Sequence, residues 1–258
     1  MSTPVKQLQQ RIKSREATVG VVGLGYVGLP LSIGFARAGF PVLGFDTDSR
    51  RVAQVNDGEQ VIRHIPRKAM RELAQGGEAT ADFARLGEAD AVLICVPTPL
   101  DQHHQPDMSY VEAAADAIAA TLRKGQLVVL ESTTWPGTTR ELLLPRLEVS
   151  GLRAGEDFFL AYSPEREDPG NANYGMGDIP KVVGGHTDAC RDVAVALYES
   201  VVPRTIPVSS PETAEATKLM ENIFRAVNIT LVNEMKLVLD RMDVNIWEVV
   251  DAAATKPF

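Results

Sequence analysis

Val19-Gly20-Val21-Val22-Gly23-Leu24-Gly25-Tyr26-Val27-Gly28-Leu29 is the stretch on which the fold turns. Residues 17–22 form a short, largely β-branched run that ends in glycine, as a strand buried on both faces of a parallel sheet does. A helical pattern follows at once, with Leu29, Leu31, Ile33, Phe35 and Ala36 apolar and Gly39 as its stop. Between the two lies Gly23-x-Gly25-x-x-Gly28, in the strand–loop–helix context that a dinucleotide fingerprint requires. Gly23 allows the tight turn, Gly25 lets backbone approach a pyrophosphate, and Gly28 permits close helix–strand packing. Tyr26 and Val27 complete the loop, and the N-terminus of the helix faces the phosphates.

Outward from that loop, Asp46 closes the next strand-like run, 41–46, close to the ~20-residue offset expected of a ribose-binding carboxylate. A carboxylate there accepts the adenosine ribose hydroxyls and repels a 2′-phosphate, so the predicted cofactor is NAD rather than NADP. Arg51 has two readings, a solvated helix charge or a cation able to accommodate a 2′-phosphate, which would run against the NAD choice. It is kept among the cofactor-binding candidates. Further strand-like runs at 91–96, 126–132, 157–163, 181–185 and 201–208 alternate with helical patterns. The pattern predicts an α/β, Rossmann-like, doubly wound parallel sheet with right-handed crossovers. From Pro211 to Met242 there is neither glycine nor an internal proline, which predicts one long connecting helix. Its apolar positions Leu219, Ile223, Val227, Leu231, Met235 and Val238 recur every three to four residues and predict a buried stripe. A shorter helix is expected over 244–254. The predicted organisation is an N-terminal arm (1–16), a NAD-binding Rossmann-like domain (17–210) and a central helical region (211–258).

Composition narrows the function classes. The 258 residues carry a net charge of −8, with 45% hydrophobic and 23% charged residues. No basic footprint for a nucleic-acid backbone is present, and no run of apolar residues is long enough to span a bilayer. The polar opening MSTPVKQLQQRIKSREA has no signal-type apolar core, so a cytoplasmic location is expected. Cys95, inside an apolar run, reads as a buried inert thiol, and Cys190 as a thiol on a surface helix. His103 and His104 read as a solvated loop, with no metal expected. Trp135 and Trp247 read as packing residues.

Three further segments each follow a strand and so belong at the carboxyl edge of the sheet, where doubly wound folds bind ligands. They are Val96-Pro97-Thr98-Pro99, Glu131-Ser132-Thr133-Thr134-Trp135-Pro136-Gly137 and Ser163-Pro164-Glu165-Arg166-Glu167-Asp168-Pro169-Gly170. Lys218 and Asn222 share one helical face. Their spacing fits a solvated surface as well as an ammonium and an amide converging on a sugar oxygen.

The strings VGLGYVGLPL, ICVPTPL, ESTTWPGTT, SPEREDPGN, TAEATKLMENIFRAVNITLVNE and DAAATKPF, in that order, resemble the UDP-glucose/GDP-mannose dehydrogenase family. Within it they are most similar to members acting on UDP-N-acetylglucosamine and UDP-N-acetylmannosamine. The resemblance implies oxidation of the sugar C6 alcohol to a carboxylate with two NAD molecules in turn, through a thioester on a cysteine. It assigns Thr133 to the catalytic water, Glu165 to the nicotinamide side of that water, Lys218 to the developing oxyanion and Asn222 to the sugar. It places Pro97, Thr98, Thr133 and Glu165 beside the cofactor. The family's nucleophile lies in a GGHC-type segment after the AATKPF region, so these 258 residues are expected to lack it and to be inactive alone. Expected partners are a UDP-sugar and a second copy of the chain, and the resemblance gives the central helical region (211–258) a dimerising role. Competing readings are a UDP-glucose 6-dehydrogenase, a single-step β-hydroxyacid-type dehydrogenase and a non-catalytic NAD-binding module.

Overall fold

The computed structural model describes residues 3–166 and 179–256. Among them, eight strands form one sheet in the order β3-β2-β1-β4-β5-β6-β7-β8. These are β1 (Val19–Val22), β2 (Val42–Phe45), β3 (Gly77–Thr80), β4 (Ala91–Ile94), β5 (Leu127–Leu130), β6 (Phe159–Tyr162), β7 (Lys181–Gly185) and β8 (Thr205–Val208). β1, β2, β4, β5 and β6 are buried along their whole length. Burial on both faces is why they read as continuous apolar runs rather than alternating ones.

Alternate residues of each strand feed two cores. Val19, Val21 and Leu93 join Leu29, Phe35, Met70 and Leu197 on one face. That face is covered by α1 (Pro4–Lys13), α2 (Gly28–Arg37), α4 (Arg67–Gly76) and α7 (Asp188–Tyr198). Val22, Val92 and Ile94 join Phe45, Val111, Ile118 and Leu147 on the other, under α5 (Ser109–Ala119) and α6 (Leu144–Glu148). α3 (Ser49–Asn56) follows β2. A 3₁₀ turn (Phe83–Glu88) and a π turn (Thr139–Leu143) complete the connections. The chain reverses its direction of winding between β1 and β4, and that is where a doubly wound sheet opens a crevice.

The sheet is mostly parallel, with one departure. β7 runs antiparallel to β6, and β8 runs parallel to β7. The antiparallel pairing brings the start of β7 to the carboxyl edge of β6, with Ala161 opposite Gly185 and Tyr162 opposite Gly184. β3 had no counterpart in the sequence reading. The opening residues are more than a polar arm: α1 buries Leu8 and Ile12, and Arg11 pairs with Asp90 at 2.8 Å.

Two compact units are present, Met1–Ala216 and Thr217–Phe258. α8 (Pro211–Asp240) starts in the first, and the second holds its remainder and α9 (Ile246–Ala253). Three expectations need correction. The apolar stripe of α8 is exposed, with Val227 at 60% and Leu231 at 58%. Apolar residues also occupy other faces of the helix. Cys190 is fully buried, because its position in α7 faces the core beside Val193 and Ala194. Trp135 (39%) and Trp247 (67%) are exposed rather than packed, since the first rides a loop at the sheet edge and the second follows the Asn245 N-cap of α9.

Candidate functional site

The glycine loop owes its shape to two close approaches. Gly23 adopts φ +94°, and a side chain on it would meet the Cys95 carbonyl oxygen at 2.8 Å. A Cβ at Gly28 would fall 1.9 Å from the Gly23 carbonyl oxygen, so α2 reaches the turn only because residue 28 is glycine. At Gly25 the same test finds no atom within 4 Å, leaving backbone open to a ligand. No side chain caps the first turn of α2, so its positive end stays available to phosphate.

Asp46 does more than end β2. Its Oδ2 accepts from the Leu24 amide at 3.0 Å and its Oδ1 from the Asp48 amide at 2.9 Å. The carboxylate therefore fastens the glycine loop to the start of the following helix. Arg51 Nη1 lies 3.6 Å from Asp46 Oδ2, an ion pair that draws the arginine to the same corner.

These residues open on a cavity of about 670 Å³, within the range of small-molecule sites. Of the residues singled out in the sequence, Gly23, Gly25, Tyr26, Val27, Asp46, Arg51 and Pro97 line it. Gly28 packs behind the loop. The opposite wall was not read from sequence: Phe83 comes from the 3₁₀ turn, and Tyr110, Ala113 and Ala117 come from one face of α5. Their three-to-four spacing is the signal that could have found them.

Thr98, Thr133 and Glu165 lie outside that lining, on the loops after β4, β5 and β6. Side-chain bonds tie these loops together. Thr98 Oγ1 donates to the Thr133 carbonyl at 2.8 Å, Ser132 Oγ to the Val96 carbonyl at 2.7 Å, and the Tyr162 hydroxyl to the Ser132 carbonyl at 3.2 Å. The Thr133 side chain is exposed and Glu165 is half-buried. Glu167, Asp168, Pro169 and Gly170 of the SPEREDPGN string lie outside the described residues.

Beneath these loops sits a buried polar cluster. The Lys181 ammonium lies 2.6 Å from Glu131 Oε2 and 3.8 Å from Glu165 Oε2, and the Tyr198 hydroxyl donates to the other Glu131 oxygen. Burial pushes the Glu131 carboxyl above its usual range, with Lys181 opposing. Burial also works against the Lys181 ammonium, but the two carboxylates outweigh it and hold the lysine protonated. Cys95, on the cavity wall, has a thiol pushed well up by burial and by the Glu131 carboxylate.

Glu215, near the start of α8, is fully buried. Its carboxylate accepts from the amides of Gly137 (2.6 Å) and Thr139 (2.9 Å) and from the Thr139 hydroxyl (2.7 Å). It thus caps the turn that ends the Thr133 loop. Lys218 and Asn222, both half-buried, belong to the second unit and by helical period share one face of α8.

Similarities to known proteins agree with this geometry. UDP-N-acetyl-D-glucosamine 6-dehydrogenase of Pseudomonas aeruginosa is 38% identical over 244 residues, covering 94% of this chain and 57% of that protein. The solved UDP-D-ManNAc dehydrogenase of Pyrococcus horikoshii superposes with a TM-score of 0.87 at 38% identity, over 93% of this chain and 58% of its own. The solved NDP-N-acetyl-D-galactosaminuronic acid dehydrogenase of Methanosarcina mazei Go1 gives 0.82 at 33% identity, over 100% of this chain and 57% of its own. The chain thus spans little more than half the length of the relatives it matches. Residues 17–202 match the NAD binding domain and residues 212–258 the central domain of one family, and so NAD is the cofactor of the fold described above and the chain belongs to the UDP-glucose/GDP-mannose dehydrogenase family.

Proposed function

We propose that this chain supplies the NAD site and part of the catalytic edge of an enzyme that oxidises C6 of a UDP-N-acetylhexosamine, UDP-N-acetylglucosamine or UDP-N-acetylmannosamine, to the uronic acid. The observation that carries the reading is the cavity at the β1/β4 switch point, joined through three cross-tied loops to Thr133 and Glu165. Family membership sets aside the single-step hydroxyacid reading, and the acetamido-sugar relatives support the substrate class.

The residues fit the cofactor. The open face of Gly25 and the uncapped start of α2 would take the pyrophosphate. Asp46, with Arg51 beside it, would hold the adenosine ribose, and the apolar wall of Phe83, Tyr110 and Ala117 would take the adenine. NAD supplies a hydride acceptor when bound. The protein's own part is then positional. Pro97 and Thr98 keep the cofactor's reacting end against the β4 loop, Thr133 holds a water on its exposed hydroxyl, and Glu165 orients that water from the β6 loop. Lys218 would stabilise negative charge developing on the sugar oxygen, an interaction stronger in the transition state than in the ground state. Asn222 would hold the sugar through its amide. Both thiols of these residues are buried, so a covalent thioester step needs a thiolate from outside them.

Titration with NAD and NADP, then an NADH assay on each sugar nucleotide, tests the reading. The 258-residue chain is expected to bind NAD and to give no burst of two NADH per sugar. A longer polypeptide containing it is expected to give that stoichiometry with an acetamido sugar. Turnover with UDP-glucose or GDP-mannose alone would overturn the substrate class.

A further inference from the structure

Lys181 opens β7, and because β7 runs antiparallel to β6 its side chain arrives at the carboxyl edge, under the loops that carry Thr133 and Glu165. It is 5% exposed, yet its ammonium reaches two hydrogen-bond acceptors and a second carboxylate at ion-pair distance. Glu131 Oε2, at the root of the Thr133 loop, is 2.6 Å away. The Pro164 carbonyl is 3.4 Å away and Glu165 Oε2 is 3.8 Å away, both on the β6 loop. The fourth side is closed by the Tyr198 ring, whose centroid lies 5.1 Å from Nζ and whose hydroxyl is committed to Glu131.

A lysine needed only to neutralise Glu131 would not have to reach the neighbouring loop. Burying an ion pair is at best weakly stabilising compared with an apolar replacement, so the pair is poorly explained as a source of stability. What the arrangement does provide is a link between two loops, from a compact cation with three donors.

We infer that Lys181 is a positioning residue: its buried ammonium fixes the Glu165 loop to the root of the Thr133 loop and so sets the spacing between the two groups that flank the reacting centre. The inference rests on the reading of Thr133 and Glu165 as site residues. The surrounding titratable groups are Glu131 just after β5, Glu165 from the β6 loop, Tyr198 from α7 and Cys95 just after β4.

Lys181→Met alone strands the Glu131 carboxylate in the interior and is expected to weaken the whole domain, so it decides nothing. The deciding comparison is Glu131→Gln against Glu131→Gln/Lys181→Met, each confirmed folded by circular dichroism. Hydrogen exchange is followed at the amides of Ser163, Glu165 and Arg166, since Pro164 carries none. With Glu131→Gln the ammonium keeps its hold on Pro164 and Glu165, and exchange there is expected to stay near that of the unaltered chain. Adding Lys181→Met is expected to accelerate those amides by about tenfold or more while β4 and β5 stay protected. Lys181→Arg, which keeps a cation with several donors, is expected to restore protection. A double variant whose Ser163, Glu165 and Arg166 amides exchange as slowly as those of Glu131→Gln would overturn the inference, as would failure of the arginine to protect better than methionine. None of these measurements uses a sugar nucleotide. If the exchange pattern holds but no UDP-N-acetylhexosamine is ever oxidised, the substrate reading falls and the loop linkage stands.

Discussion

Asp46 shows how one side chain can hold two elements of the fold together at a proposed cofactor site. It is placed by the end of β2, engaged by the Leu24 and Asp48 amides, and paired with Arg51. A carboxylate in that corner favours ribose hydroxyls and disfavours a 2′-phosphate, so calorimetry should find NAD bound more tightly than NADP. Asp46→Ala removes the proposed ribose acceptor and leaves the Leu24 amide without its partner. NAD affinity should fall by about 1–3 kcal/mol, and the preference over NADP should shrink; unchanged NAD binding would remove Asp46 from the site. The thiols give a second check at this scale. Cys95 and Cys190 are buried, and burial holds the Cys95 thiol protonated. Neither should react with a thiol reagent at neutral pH until the chain is denatured, when both should. Rapid labelling of the native chain would contradict the burial. Sequence spacing was enough to place Asp46, because the offset from the glycine loop is fixed by one βαβ unit. The same reading could not find Lys181, since Lys-Val-Val-Gly-Gly looks like any strand until its direction is known.

At the scale of elements, the long apolar runs and the glycine-free helix were legible because burial on two faces and a 3.6-residue period both leave marks in sequence. β3 left none: Gly-Glu-Ala-Thr has little β propensity, and an edge strand needs only one good neighbour. Nor does periodicity carry direction, which is why β7 was expected to be parallel. The contact between α8 and the Thr133 loop was likewise invisible, as Glu215 reads as an ordinary helix charge. Glu215→Ala would leave two amides and a hydroxyl unsatisfied inside the protein, and thermal or urea unfolding should show a loss of about 2–4 kcal/mol. A loss below about 0.5 kcal/mol would show that water replaces the carboxylate. His186, just after β7, has its pKa lowered by burial and by Arg140. A histidine depressed in the folded state resists protonation there, so its contribution is present above the ordinary value near 6.5 and is lost as pH falls through the folded value. His186→Asn should therefore flatten the fall in stability between about pH 7 and 5. An unchanged slope would mean that other groups carry it.

For the whole molecule the governing feature is the apolar surface of α8. Met220 is 69% exposed, Phe224 70%, Val227 60% and Leu231 58%. The last three are spaced as one continuous stripe. Monomers in water seldom leave so long an apolar strip uncovered. A second copy is the simplest cover, since an isologous contact lays the same stripe against itself about a two-fold axis. The chain is therefore expected to sediment as a dimer at micromolar concentration. Phe224→Asp with Leu231→Asp puts two carboxylates per chain into that contact, where they cannot be paired with basic groups of an identical stripe, and should shift the population to monomer. NAD affinity should be unchanged, because neither residue lines the cofactor cavity. Two results would defeat the expectation: a native chain that stays monomeric at high concentration, or an Asp double variant that still dimerises as the native chain does. A variant that turns monomeric and also loses NAD would show instead that the helix supports the first unit directly, and that its exposed stripe is not what holds two copies together.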